Sequence, residues 1–333
     1  MPLKASSQAA PPPRTDSEFT LIERYFESHI TQRRDVLLGI GDDCALLQAP
    51  ENTSLAATMD TLVAGVHFLA DADPEGIGHK ALAVNLSDLA AMGAQPAWAS
   101  LALTLPAADE RWLAAFCRGF FALAEDYQVA LVGGDMTHGP LCISVQAQGF
   151  VPATLALRRT GAQFGDRILV TGTPGDAGLA LAPRETRRNL TAEHIAYLQA
   201  RLDKPLPRIQ QGLDLRGLAT AAIDISDGLA QDLGHILERS GVGATLYVDR
   251  LPLSPAMAAC PEQATAIALT GGDDYELCFT VPPRHLGSVQ SLAAAWDCAC
   301  TEIGVIDASP GLRCLREDGT VYPLSPNGYD HFA

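Results

Sequence analysis

A chain of 333 residues is long enough for two domains of ordinary size, each with its own core, which excludes a single small module. Apolar residues at 47% and charged residues at 19% describe a globular chain, and no apolar stretch reaches the roughly 20 residues that a membrane span needs. A net charge of −16, with no Lys/Arg cluster among aromatics, argues against a nucleic-acid partner but leaves open phosphate binding through divalent cations.

The first 17 residues carry Pro11-Pro12-Pro13 and no continuous apolar run, so they read as a disordered tail rather than a secretory signal. Ser17 caps a helix expected to run to about His29, with Phe19, Ile22, Tyr25 and Phe26 at helical spacing. Strands are expected at Val36 to Ile40, just before Asp42-Asp43 of GIGDDCALL, and at Ser54 to Met59, closed by Asp60. Asp73-Pro74 starts a helix and Gly93 stops it, with Asn85, Asp88 and Met92 on one face. A strand from Trp98 to Leu105, a helix from Glu110 to Tyr127 capped by Asp109, a strand from Val129 to Val132 running into Gly133-Gly134-Asp135, and a strand from Leu141 to Val151 complete the first half. Turn residues around 155 separate an N-terminal unit, 18–152, from a C-terminal unit, 153–333. In the latter, strands are expected at 167–171, 221–225, 244–249, 276–281 and 300–306, alternating with helices within 176–219 and near 229–239, 262–269 and 284–296. Both halves are therefore α/β, with mixed sheets packed against helices.

Eight cysteines scattered singly through the chain lack the framework of a disulfide-rich secreted domain, which points to a reducing cytoplasm. Cys298 and Cys300 fit buried thiols better than a metal pair.

The chemistry lies in the aspartates. Asp43, Asp60, Asp88, Asp135, Asp224 and Asp227 stand mostly at expected strand ends or beside glycine, where any one of them alone reads as a turn former or helix cap. Asp88 differs, because it lies inside the apolar helix NLSDLAAMG and no basic residue occurs between Ala81 and Arg111. A divalent cation would supply the missing partner, and hard oxygen ligands favour Mg2+ over zinc. No G-x-x-x-x-G-K-[ST] occurs, GIGDDC breaks the dinucleotide spacing, and Gly172-x-x-Gly175-x-x-Gly178 is a poor phosphate loop. Two unit charges 4 Å apart repel by about 4 kcal/mol at an effective dielectric near 20, so bringing two phosphates together is first a problem of neutralisation. Aspartate-held cations address it, with Arg159 placed to stabilise transferred charge.

GIGDDCALL, the strand ending in Asp60, KALAVNLSDLAAMGAQP, VGGD, IDISDGLAQDLGHI, GGDDYELCF and the terminal GYDHF together resemble the thiamine-monophosphate kinase family, from about residue 18 to the C-terminus. The resemblance implies the two-domain fold of the aminoimidazole-ribonucleotide-synthetase-like superfamily, a homodimer formed through the N-terminal domains, and ATP with several Mg2+ ions. It implies direct in-line transfer of the γ-phosphoryl group of ATP to thiamine monophosphate, giving thiamine diphosphate, the final step of that cofactor's biosynthesis, without a covalent enzyme intermediate. By motif, Asp43, Thr58, Asp60, Asp88, Asp135, Asp224 and Asp227 look like metal ligands, and Gly134, Asp135, Arg159 and Ser226 like ATP contacts. His67 and Asp273 look like substrate contacts.

Two positions depart from the family pattern. Asp273 stands where glutamate is common, and Pro326 stands where an aromatic can cover the substrate. The competing readings are another ATP-dependent enzyme of the superfamily and a non-catalytic Mg-nucleotide-binding scaffold. Against the first, the chain ends in Asp330-His331-Phe332-Ala333 and shows no reactive cysteine in a glycine-rich N-terminal loop, Cys44 being followed by apolar Ala-Leu-Leu.

Overall fold

The computed structural model describes residues 17–29 and 31–324, so the tail and the terminal GYDHF with Pro326 lie outside the described residues. Helix α1 (Glu18–Tyr25) opens on Ser17, whose hydroxyl accepts from the Thr20 N–H, and then tightens into a 3-10 turn at Glu27–His29. Strands β1 (Val36–Leu38) and β2 (Leu46–Leu47) pair antiparallel, and GIGDDC forms the loop between them.

The first main sheet has the order β3-β6-β4-β5, from β3 (Thr53–Val63), β4 (Gln95–Leu105), β5 (Ala130–His138) and β6 (Cys142–Pro152). Helices α2 (Pro74–Ala91) and α3 (Glu110–Asp126) pack on one face of it. Asp73 and Asp109 cap them as expected. Strand β5 runs parallel to β4, which requires the α3 crossover, and the other pairs are antiparallel.

Two local expectations are corrected. Asp60 lies inside β3 because pairing with β6 continues to Val63. Gly133-Gly134-Asp135 is strand rather than turn, since β5, after a register shift at Val132, stays paired with β4 through His138. Gly134 fits because a Cβ there would lie 1.9 Å from the Leu101 carbonyl oxygen.

The second sheet has the order β12-β9-β11-β7-β10-β8. It comprises β7 (Arg167–Thr171), β8 (Ala221–Asp224), β9 (Gly243–Tyr247), β10 (Leu277–Val281), β11 (Cys300–Asp307) and β12 (Gly311–Leu315). Only β12 with β9 is parallel. Helices α4 (Asp176–Leu181), α5 (Ala192–Asp203), α6 (Ile209–Asp214), α7 (Leu229–Ser240), α8 (Pro255–Ala258), α9 (Pro261–Thr270) and α10 (Pro283–Ala293) complete this unit.

Helix α2 joins the two units. It is buried along nearly its whole length and on all sides, so it carries no polar stripe. Its backbone touches α3 directly: a Cβ at Gly78 would fall 2.0 Å from the Phe116 carbonyl oxygen, and one at Gly119 would fall 1.8 Å from that of Glu75. Its other sides meet β3, α6 and β8. One apolar cluster therefore runs from the first sheet through Leu82, Leu86 and Leu89 into Ala222, Leu277 and Phe279 of the second. All eight cysteines are free, and burial pushes the thiols of Cys117 and Cys300 up to about 12.

Asp35, just before β1, ties the small hairpin to the first sheet. It accepts from Arg33 Nε at 2.9 Å and Nη2 at 2.7 Å, and from Trp98 Nε1 at 3.1 Å. The Arg33 hydrogen bonds hold its carboxyl below the usual range. Because that value is depressed on folding, the stabilisation is present above the unfolded value near 4 and fades as pH falls. Asp35→Asn should lower unfolding free energy by about 1–3 kcal/mol at pH 7, and urea melts at pH 7 and pH 3.5 should show the difference shrinking at the lower pH.

Candidate active site

Where β3 and α2 face the strand-to-helix turn after β8, a cleft of about 730 Å³ opens between the units. Asp60, His67, Asp88, Asp224, Ser226, Asp227 and Asp273 line it. On β3 the side chains alternate, so Thr58 and Asp60 point towards α2 while Thr61 points to the opposite face, where its hydroxyl meets Ser144 at 2.8 Å. Asn85 Oδ1 accepts the Asp60 N–H at 3.1 Å and fixes the strand against the helix. One turn on, Asp88 accepts a short hydrogen bond from Thr58 Oγ1. The preceding Ser87 donates to Asp224 Oδ2 at 2.7 Å, joining α2 to the end of β8. Asn85 and Asp88 thus share the cleft side of α2, while Met92 ends the helix as its C-cap.

These carboxylates strain one another electrostatically. Burial pushes Asp60 up to about 6, with the Asp88 charge adding to it. Burial also raises Asp88, offset by the Thr58 hydrogen bond and the Arg159 charge. Asp224 rises well above the carboxylate range through burial and the charges of Asp88, Asp232 and Asp60. Asp88, expected to lack a basic partner nearby in the chain, therefore has a neutral partner from β3 and a distant cationic one in Arg159, neither visible in its own helix. In each of Asp88 and Asp224, only Oδ2 is hydrogen-bonded among the described residues. Oδ1 stays available.

Other expected residues lie elsewhere. Asp43, Gly134 and Asp135 line a second cavity of about 860 Å³ beside α1, with Phe19, Ile22 and Phe26. Asp135 is in register with Ala102, Ser144 and Thr61 and so shares the sheet face opposite Asp60. Within one chain, then, the sheet stands between Asp135 and the cleft carboxylates. Arg159 is exposed on the connection between the units. His67 accepts the Val63 N–H on Nδ1 at 3.0 Å. Asp273, at φ +70°, has both oxygens engaged: Lys80 Nζ lies 2.6 Å from Oδ2 and Tyr275 donates to Oδ1 at 2.8 Å. Beside it, a cavity of about 340 Å³ lined by Leu62, Phe68, Leu69, Ile77 and Lys80 shares His67 and Asp273 with the cleft.

Among the described residues, no group of three or more His, Cys, Asp or Glu side chains is arranged to hold a metal ion by itself. The cleft carboxylates face a common space without forming a closed cage. That donor set suits a hard cation that keeps water and substrate oxygens in its shell. Ser87, Lys80, Tyr275 and Gln231 were missed by sequence reasoning; the one basic side chain beyond a histidine in the mostly apolar stretch 76–91 was the signal available for Lys80.

Residues 41–151 match the family described as AIR synthase related protein, N-terminal domain, and residues 163–315 its C-terminal domain. The chain is 52% identical over 320 residues to a thiamine-monophosphate kinase of Salmonella typhimurium, covering 95% of this chain and 98% of that one. Its structure matches that of a thiamine-monophosphate kinase from Stenotrophomonas maltophilia, with a TM-score of 0.83 at 48% identity over 92% of this chain and 98% of that one. It also matches AaThiL complexed with AMPPCP and TMP, with a TM-score of 0.74 at 32% identity over 95% and 97% of the two chains.

A raised Asp60 carboxyl means that the folded state binds its proton more tightly than the unfolded chain, so stability falls as pH rises from about 4 through 6. In EDTA, Asp60→Asn should therefore melt several degrees above the parent at pH 8, with the gap closing towards pH 4.5 in thermal scans.

Proposed function

The chain belongs to the thiamine-monophosphate kinase family of AIR synthase related proteins, and we propose that it transfers the γ-phosphoryl group of ATP to thiamine monophosphate, forming thiamine diphosphate and ADP. The observation that carries this reading is the meeting of Asp60, Asp88, Asp224 and Asp227 on one cleft, in a chain whose relatives bear that name. Both reactants are polyanions, and these carboxylates would repel them. The free oxygens of Asp88 and Asp224, together with Asp60, Asp227 and the Thr58 hydroxyl, would hold magnesium. Bound there, magnesium would supply the charge neutralisation that in-line transfer between two polyanions needs. Arg159, whose charge reaches Asp88, would meet charge on the transferred group. Ser226 supplies a hydroxyl to the nucleotide, while His67 and Asp273 face both the cleft and the smaller, partly apolar cavity, which fits the heterocyclic half of the acceptor.

Asp135, on the sheet face opposite Asp60, completes the proposed ATP and metal set together with Asp43 and Gly134, which line the same second cavity. If both groups serve one nucleotide, they come from two copies of the chain. A homodimer through the N-terminal unit follows, and the exposed Leu55 and Met59 on that unit's β3 give it an apolar contact. A cytoplasmic setting agrees with eight free thiols, and no helix among the described residues is long and apolar enough to cross a membrane.

The decisive assay supplies ATP, Mg2+ and thiamine monophosphate and measures thiamine diphosphate, which should form and should cease in EDTA. ADP without that product would favour another acceptor, and neither product would favour a scaffold. Asp88→Asn and Asp135→Asn should each lower turnover at least 100-fold with the fold intact. Mixing the two inactive variants should restore part of the activity, because a mixed dimer holds one site free of both changes; no restoration would place the full set within one chain. Asp273→Glu should keep or lower the KM for thiamine monophosphate, since the longer side chain reaches further from its Lys80 and Tyr275 anchors; a KM raised tenfold would sink that contact.

A further inference from the structure

The turn from β8 into α7, Ser226-Asp227-Gly228, has the form of a phosphate-binding loop: a glycine-containing turn at a helix N-terminus with successive N–H groups pointing to one spot. That spot is taken by the protein itself. Asp232 Oδ2 accepts the Ser226 N–H at 3.0 Å, the Asp227 N–H at 3.0 Å and the Gly228 N–H at 3.1 Å. The side chain is 2% exposed and lies behind the turn, in the first turn of α7. The same device recurs at the second glycine turn of this unit, where buried Asp274 accepts the Gly175 N–H at 2.6 Å and the Ala177 N–H at 3.3 Å. Both glycine turns thus have N–H donors turned inward onto a carboxylate.

We infer that Asp232 is a positioning residue which, by occupying this N–H nest, directs the Asp227 carboxylate and the Ser226 hydroxyl into the cleft and denies the turn to substrate phosphate. The inference rests on the phosphoryl-transfer reading above. Three hydrogen bonds to one charged oxygen fix three consecutive peptide planes, so the two intervening side chains can only project the other way, onto the cleft that they line. Without the internal anion, the emptied nest would draw a phosphate directly, and Asp227 would lose its fixed direction. Asp232 itself touches neither reactant.

The test removes the internal carboxylate and supplies one from solution. Asp232→Ala should show an apparent Mg2+ requirement raised at least tenfold with turnover reduced. Formate, small enough for the vacated space, should restore activity at least tenfold and raise the melting temperature of the variant relative to chloride at equal ionic strength. The parent protein should respond to formate in neither measurement. Parental Mg2+ dependence in Asp232→Ala, or a folded variant unmoved by formate in both activity and melting, overturns the inference. Should Asp232→Ala not fold, Asp232→Asn decides: its amide oxygen keeps an acceptor without the charge, so a Mg2+ requirement raised threefold or more supports the inference and a parental one overturns it. Failure of the parent to form thiamine diphosphate would instead strike the functional reading, whereas formate-dependent melting of the variant reports on the nest alone.

Discussion

Carboxylates held close together, with no basic side chain hydrogen-bonded to them among the described residues, are the constraint on which the structure turns. Asp60, Asp88 and Asp224 come from a strand, a helix and a second strand that are far apart in sequence, and each is raised by burial, with mutual repulsion acting on Asp60 and Asp224. A chain selected only for stability would replace at least one of them with an apolar or amide residue. Their retention concentrates negative charge at the seam between the units, and the rest of the fold has to keep that seam closed against the repulsion.

Helix α2 does this. Its backbone contact with α3 leaves no room for side chains at Gly78 or Gly119, and its leucines bind both sheets into one apolar cluster. Burying each such leucine contributes about 1.5–3 kcal/mol, which acts against the repulsion among the three carboxylates. The polar residues of α2 then act at set places: Lys80 reaches across to Asp273, Asn85 holds β3, and Ser87 holds Asp224. One helix thus both closes the seam and shapes the cleft.

Much of the local structure was legible because its causes are local. The Ser17, Asp73 and Asp109 caps and the turn-bounded strands needed only neighbouring residues. What depended on distant pairing was not. The extension of β3 past Asp60 is imposed by β6, the strand conformation of Gly133-Gly134 by β4, and β12 exists because β9 offers it an edge. Within the site, the aspartates stood out by type, yet their distribution over two sheet faces follows from strand register, which one chain's sequence does not spell out. Asp88 seemed to lack a partner because Thr58 lies 30 positions away.

The hydrogen bonds explain why an acidic cleft can be both fixed and receptive. Thr58 and Ser87 are neutral donors, and each holds a single oxygen of its carboxylate. A lysine or arginine in their place would hold the carboxylate just as firmly, but would cancel the charge that a cation needs to find there. Asp273 shows the contrast: with Lys80 and Tyr275 on its two oxygens it is neutralised and anchored, and it faces the side of the cleft that also borders the apolar cavity. Neutral donors therefore leave Asp88 and Asp224 their charge, whereas a lysine compensates that of Asp273. The same logic turns the backbone N–H groups of both glycine turns onto internal aspartates, so that this wall of the cleft presents oxygen rather than N–H to whatever enters.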